Sequence, residues 1–169
     1  MIEYSSRPIT PHTLVALMEN KPGVLNRVAS LFRQRGFNIE SLTVSNTDTP
    51  EISRMTLVID GNTTNVEQVI KQLYKLIEVT KVTEVTHEPH ISRELALIKV
   101  STSNNKRTEV LQLVEVYKGD AVDVGADSVT AEVVGSREKI DSFVAVMRPY
   151  GIKELVRTGI IAMARGSAL

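Results

Sequence analysis

The chain predicts an α+β protein made of two consecutive β-α-β-β-α-β sandwiches. Three observations predict it. Apolar residues switch between the strand period of two and the helical period of about 3.6, in the same order in each half. Clusters of glycine, proline and asparagine punctuate those switches. A polar stretch, His87-Glu88-Pro89-His90-Ile91, separates the halves. A length of 169 residues accommodates two small domains, and a hydrophobic share of 42% is ample for two packed cores.

In the first half, residues 1–12 form a polar lead. Residues 13–86 then make one domain. Thr13 to Met18 is a buried strand. Val24, Leu25, Val28, Leu31 and Phe32 recur at helical spacing, while Arg27, Arg33, Gln34 and Arg35 fall mostly off that stripe, on a solvated or partner-facing side. Gly36 supplies a left-handed stop. Phe37 to Asn46 is a strand, Asn46-Thr47-Asp48-Thr49-Pro50 has turn chemistry, and Ile52 to Asp60 is the next strand. Gly61-Asn62 breaks it. Thr64 and Glu67 form a capping box for a helix carrying Val66, Val69, Ile70, Leu73, Leu76 and Ile77 inward. Val79 to Thr86 closes the set.

Residues 87–93 read as a linker, and 94–169 repeat the order. Glu94 to Ser101 is a strand, and Asn105 to Tyr117 a helix stopped by Lys118-Gly119. Ala121 to Val124 and Val129 to Val134 form a hairpin. Ser136 caps a helix carrying Ile140, Phe143, Val144 and Met147, which Pro149 and Gly151 end. Ile152 to Met163 returns as one extended segment. Each half is the split β-α-β pattern of a ferredoxin-like domain.

Composition excludes several function classes. Basic and acidic residues number 20 each, so no net field draws nucleic acid or an anionic membrane. Aromatics make up 4% with no Trp, and Phe37 is the only aromatic in the first half's strands, too few for a base-stacking platform. Without cysteine there are no disulfides or thiolate metal sites, and the lack of a spanning stretch or signal-like N-terminus points to a cytoplasmic protein, or to the mature form of an organellar one. His87 and His90 lack a third metal ligand, and His12 stands alone; no metal site is assigned. Asp120 and Asp123 read as hairpin surface, Ser101 to Asn105 as a polar loop, and Gly159 and Gly166 do not make a phosphate loop. No group of residues meets the needs of acid–base or nucleophilic catalysis. An acylphosphatase-like enzyme would need a phosphate-cradling loop with an arginine where Asn20-Lys21-Pro22-Gly23 stands.

The stretch "ENKPGVLNRV", Glu19 to Val28, has two readings. In one, Pro22-Gly23 is a tight turn before a helix and nothing more. In the other, free N–H groups at Gly23, Val24 and Leu25 meet a carboxylate at the helix end, Gly23 allows close approach, and the Asn20 and Asn38 amides at the ends of neighbouring strands serve a zwitterion.

The segments "ENKPGVLNRVASLFRQRGFNIESLTV", "SRMTLVI" and "KQLYKLIEVTKV", with "RELALIKV" and the terminal "RTGIIAMARG", closely resemble the small regulatory subunit family of acetolactate synthase. The resemblance spans nearly the whole chain and makes the first half similar to an ACT domain, an amino-acid-binding module paired at dimer interfaces. It implies a non-catalytic subunit that activates a large catalytic subunit and confers feedback inhibition by valine, or by leucine or isoleucine. Thiamine diphosphate, magnesium and FAD would belong to the large subunit. Effector contacts would come from Asn20, Pro22, Gly23, Val24 and Leu25 of one protomer of a homodimer, and Asn38 and Ile39 of the other. The second half has Ser103-Asn104-Asn105-Lys106 in place of the Asn-Lys-Pro-Gly turn, which argues against a second site of the same kind. A free-standing amino-acid sensor is the alternative reading.

Overall fold

A computed structural model describes residues 10–102 and 106–166. Two compact units divide the chain. One runs through Ile91 and regains the chain from Ala162; the other is Ser92–Ile161. The expected second domain ran to the C-terminus, but in this division the chain from Ala162 groups with the first unit.

In the first unit the elements are β1 (Pro11–Glu19), α1 (Val24–Arg35), β2 (Ile39–Asn46), β3 (Ile52–Asp60), α2 (Val66–Leu73) and β4 (Val79–Glu84). The sheet order is β2-β3-β1-β4, and its three pairings are antiparallel. Alternation along β1 places Leu14, Ala16 and Met18 on the helix side, where they pack with Val24, Val28 and Phe32 of α1 and Val69 and Leu73 of α2. The core strand β3 is buried on both faces: Met55, Leu57 and Ile59 join that core, and Val58 on the opposite face is also fully buried. On that opposite face Val15 and Val85 pack with Ala162, whose carbonyl accepts from Arg54 at 2.6 Å. Gly36 caps α1 in the left-handed region, as expected.

Four local expectations need correction. The cap of α2 is Asn65, whose side chain accepts from the Gln68 N–H at 3.0 Å; Thr64 is instead buried, with its N–H bonded to the Asp60 carbonyl. The helix ends at Leu73, so Ile77 falls outside it and is 88% exposed. Arg27 is not simply solvated, because its guanidinium pairs with the buried carboxylate of Glu78. The linker is shorter than predicted, because the next strand already begins at His90.

The second set comprises β5 (His90–Ser101), α3 (Arg107–Val116), β6 (Asp120–Val124), β7 (Ser128–Gly135), α4 (Arg137–Met147), a short 3-10 turn, and β8 (Ile152–Arg157), with sheet order β6-β7-β5-β8. Ala96, Ile98 and Val100 of β5 pack with Val110, Val114, Ile140 and Phe143 of the helices. Lys118, not Gly119, takes the left-handed conformation after α3, at φ 52°. The expected extended run Ile152 to Met163 is broken at Thr158–Ile160, and β9 (Ile161–Ala164) pairs with β5. The predicted start of α3 at Asn105 and the Ser103-Asn104-Asn105 loop lie outside the described residues. No helix among the described residues is long and apolar enough to cross a membrane.

Candidate functional site

The turn between β1 and α1 is framed by backbone bonds. The Asn20 N–H donates to the Glu51 carbonyl at 2.7 Å. The Asn20 side-chain amide donates to the Pro50 carbonyl at 2.9 Å and reaches Asn46 Oδ1 at 3.4 Å. Asn20 therefore ties the end of β1 to the β2–β3 hairpin.

The chain then turns over Lys21-Pro22-Gly23, with the Val24 N–H donating to the Lys21 carbonyl at 3.3 Å. Gly23 adopts φ 88° and caps α1 without a side-chain hydrogen bond. That conformation strains any residue with a Cβ. Space is not the constraint, because nothing lies within 4 Å of where a Cβ would stand. Among the described residues the N–H groups of Gly23 and Leu25 have no acceptor, whereas that of Val24 is engaged by the turn. The expected trio of free donors is thus a pair.

Beside this helix end lies an open cleft of about 230 Å³, lined by Met18, Glu19, Asn20, Lys21, Val24 and Leu25 with Val44, Ser45, Asn46 and Ser53. Its walls combine neutral amides, hydroxyls and branched apolar groups. Charges at the rim are internally matched: Lys21 pairs with Glu19 at 2.7 Å. The hydrogen bond to that carboxylate, and then its charge, raise the lysine pKa above the ordinary value. The cleft thus offers hydrogen-bond donors and acceptors, the positive end of a helix dipole and a small apolar wall, with little net charge.

Asn20, Val24 and Leu25 line the cleft; Pro22 and Gly23 form its adjoining turn. Asn38 and Ile39 are elsewhere in the chain. Strands β1 and β2 are not neighbours, because β3 runs between them. Ile39 and His12 both pair with Ile59, while Asn46 and Met18 both pair with Ser53. Asn38 and Ile39 therefore start β2 at the end of the sheet remote from Asn20. Sequence reading missed Val44, Ser45, Asn46 and Ser53. Asn46 was visible as turn chemistry, but only the register brings the hairpin to this corner. Nor does His12 stand alone: its ring lies beside Glu84 and His87.

Two tandem ferredoxin-like units, the first with a donor-lined cleft at the start of its first helix, define a class of paired α+β modules. Within that class, residues 14–81 match the "AHAS small subunit-like ACT domain", and residues 93–166 match the family "Small subunit of acetolactate synthase". A probable acetolactate synthase small subunit of Archaeoglobus fulgidus is 54% identical over 156 residues, which cover 92% of this chain and 98% of that protein. The acetolactate synthase small subunit of Mycobacterium bovis is 46% identical over 155 residues, covering 92% of each. A crystal structure of the acetolactate synthase small subunit from Thermotoga maritima superposes with TM-score 0.84 at 41% identity, covering 95% of this chain and 100% of that one. This chain belongs to the acetolactate synthase small subunit family, and its first unit is an ACT domain.

Proposed function

We propose that the chain is a regulatory subunit that binds the large catalytic subunit of acetolactate synthase, raises its activity, and makes it sensitive to valine. The observation that carries this reading is the cleft at the start of α1. The free Gly23 and Leu25 N–H groups suit a carboxylate, the Asn20 and Asn46 amides suit an ammonium group, and Val24, Leu25 and Val44 suit a short branched side chain. Leucine and isoleucine have the same chemistry and are the nearest competitors.

A homodimer completes the site in this reading, with Asn38 and Ile39 of a second protomer enclosing the effector. The position of β2 supports it: β2 is the edge of its sheet, begins with Ile39 and leaves Leu42 and Val44 each 37% exposed. The large subunit, in the same reading, holds thiamine diphosphate, magnesium and FAD, and the complex works in the cytoplasm. Effector affinity is micromolar to millimolar, about −8 to −4 kcal/mol, because the cleft has no charged clamp.

The test is capture of the cognate large subunit by the purified chain, followed by acetolactate formation with and without valine. Higher activity in the complex and its loss on adding valine are the expected results. Capture with no effect on turnover overturns the regulatory role. Valine binding without capture points instead to a free-standing sensor.

A further inference from the structure

One side-chain cluster in the first unit lies apart from the cleft and has no part in it. His12 lies near the start of β1, Glu84 ends β4, and His87 follows in the turn after β4. His12 Nδ1 is 2.7 Å from Glu84 Oε1. The His12 and His87 rings meet edge to face with centroids 5.7 Å apart. One ligand atom from each of the three residues lies within 4.8 Å of the other two.

A bond between an imidazole and a carboxylate explains only two of these groups. It gives no reason for a second, exposed imidazole at the same point. The surroundings also hold the first two in place. In the β1–β4 ladder Leu14 stands opposite Glu84, so His12, two residues before Leu14, shares a face with the carboxylate. The His12 ring lies against bare backbone: a Cβ at Gly61 would come 2.5 Å from its Cδ2 and 2.7 Å from its Nε2. That packing fixes the ring with Nδ1 toward Glu84. The turn carrying His87 is fastened to β1 by two bonds of 2.9 Å, from the Thr13 N–H to Thr86 Oγ1 and from the Val85 N–H to the Thr13 carbonyl. Supports of this kind keep metal ligands in register.

We propose that His12, Glu84 and His87 form a site for a borderline divalent cation of the Zn2+ class. Two imidazole nitrogens and one carboxylate oxygen match the ligand preference of such ions, whereas Mg2+ and Ca2+ favour all-oxygen shells. Bonds of roughly 2.0–2.2 Å would draw the three atoms closer together, and exposed His87 is the group free to move. Solvent would fill the fourth position. A bound ion clips the start of β1, the end of β4 and the turn after it into one unit, and so stabilises the fold without touching the cleft. The inference does not depend on the proposed regulatory role.

Titration of the full, chelator-treated chain with Zn2+ against a chromophoric competitor tests it, with Co2+ absorption as a second readout of the ligand geometry. The sequence has three histidines and no cysteine, so His90 is the one remaining imidazole and provides the control. It is held apart by a bond from its own Nδ1 to the Glu88 carbonyl, 2.8 Å. One Zn2+ per chain is expected, with affinity reduced at least about tenfold in His12→Ala, Glu84→Gln and His87→Ala and changed less than about twofold in His90→Ala. Saturating Zn2+ should raise the melting temperature by about 3–5 °C, a rise lost in His87→Ala. His87 is exposed, so its replacement tests ligation even if His12→Ala fails to fold. Binding that survives His87→Ala undiminished, or falls equally in His90→Ala, overturns the site.

Discussion

The two units frame the same corner with the same bonds and then fill it differently. In the first, the Glu19 N–H donates to Glu78 at 2.9 Å and the Asn20 N–H to Glu51 at 2.7 Å; in the second, the Ser101 N–H donates to Gly151 and the Thr102 N–H to Asp127, each at 2.9 Å. Even the register break recurs, between Leu17 and Met18 in one and Lys99 and Val100 in the other. In the first unit the corner is completed by the neutral amide of Asn20 and stays open as a cleft. In the second, Arg107 at the start of α3 donates to the Gly125 and Ala126 carbonyls at 2.7 and 2.6 Å, and Lys153 pairs with Asp127 at 2.8 Å. The same backbone frame carries Asn20, whose amide borders a cleft, in the first unit and Thr102, with an arginine of the next helix bracing the hairpin, in the second. Fold repetition therefore does not imply site repetition.

The largest expected difference concerns buried charge. In the second unit the Arg157 guanidinium bonds to both oxygens of Glu94, at 2.9 and 2.6 Å, and to Asp141 at 2.7 Å. Glu94 is 6% exposed, and its hydrogen bonds to Arg157 are the main cause raising the arginine pKa well above the ordinary value. Arg157→Met leaves that carboxylate buried without a cation and should cost about 3 kcal/mol. The counterpart in the first unit is Arg27 with Glu78, whose carboxylate is also buried but whose arginine side chain is 60% exposed, so that water can replace the guanidinium; Arg27→Met should cost less, about 1–2 kcal/mol. Amide exchange resolved by unit measures both. Equal losses would remove the claim that the second unit depends more on charge.

A smaller effect is predicted for Gly23→Asp, and it bears on sensing. The acid occupies open space where the effector carboxylate would meet the helix end, and the repulsion should weaken valine at least about thirtyfold, roughly 2 kcal/mol. The positive φ costs about 1 kcal/mol in fold stability, eased because Asp tolerates this region and favours a helix N-terminus. Arg107→Ala, a change at the first helical residue of the corresponding corner in the second unit, should leave valine sensitivity intact. Activation and inhibition of the large subunit by both variants provide the measurement. A Gly23→Asp chain that activates and remains valine-sensitive would displace the effector from this turn.

The order of elements was legible because each depends on local periodicity: β3 was bounded correctly at Ile52 and Asp60, and α1 was closed by Gly36. The Asn-Lys-Pro-Gly turn was legible for the same reason, as it is contiguous. What local pattern could not supply was register. Asn46 and Ser53 reach the cleft only because of how β2, β3 and β1 pair, and His12 meets His87 across most of the unit's length. Asn38 looked like a neighbour of Asn20 because both amides flank strands; the interposed β3 separates them. The helix cap was misread for a subtler reason. Thr64 and Asn65 both cap well, and only burial of Thr64 decides between them.

The smallest effect separates the second helices of the two units. Asn65 caps α2 by accepting from Gln68 at 3.0 Å, and Ser136 caps α4 by accepting from Lys139 at 3.4 Å. The longer bond is the weaker one, so Ser136→Ala should cost about 0.5 kcal/mol and Asn65→Ala about 1 kcal/mol at neutral pH. Ser136 has a second partner, however. A hydrogen bond to its side chain is the main cause holding the Glu138 carboxyl below its ordinary pKa. An acid whose pKa is depressed on folding adds stability that is complete above its unfolded pKa and disappears as pH falls through the folded one. The cost of Ser136→Ala should accordingly shrink as the solution is acidified through the carboxylate range, while that of Asn65→Ala, with no such acid coupled to it, stays level. Urea unfolding of both variants along a pH series measures the two slopes. Parallel slopes would mean that the Ser136–Glu138 bond contributes nothing to α4, and that the two helices are capped alike.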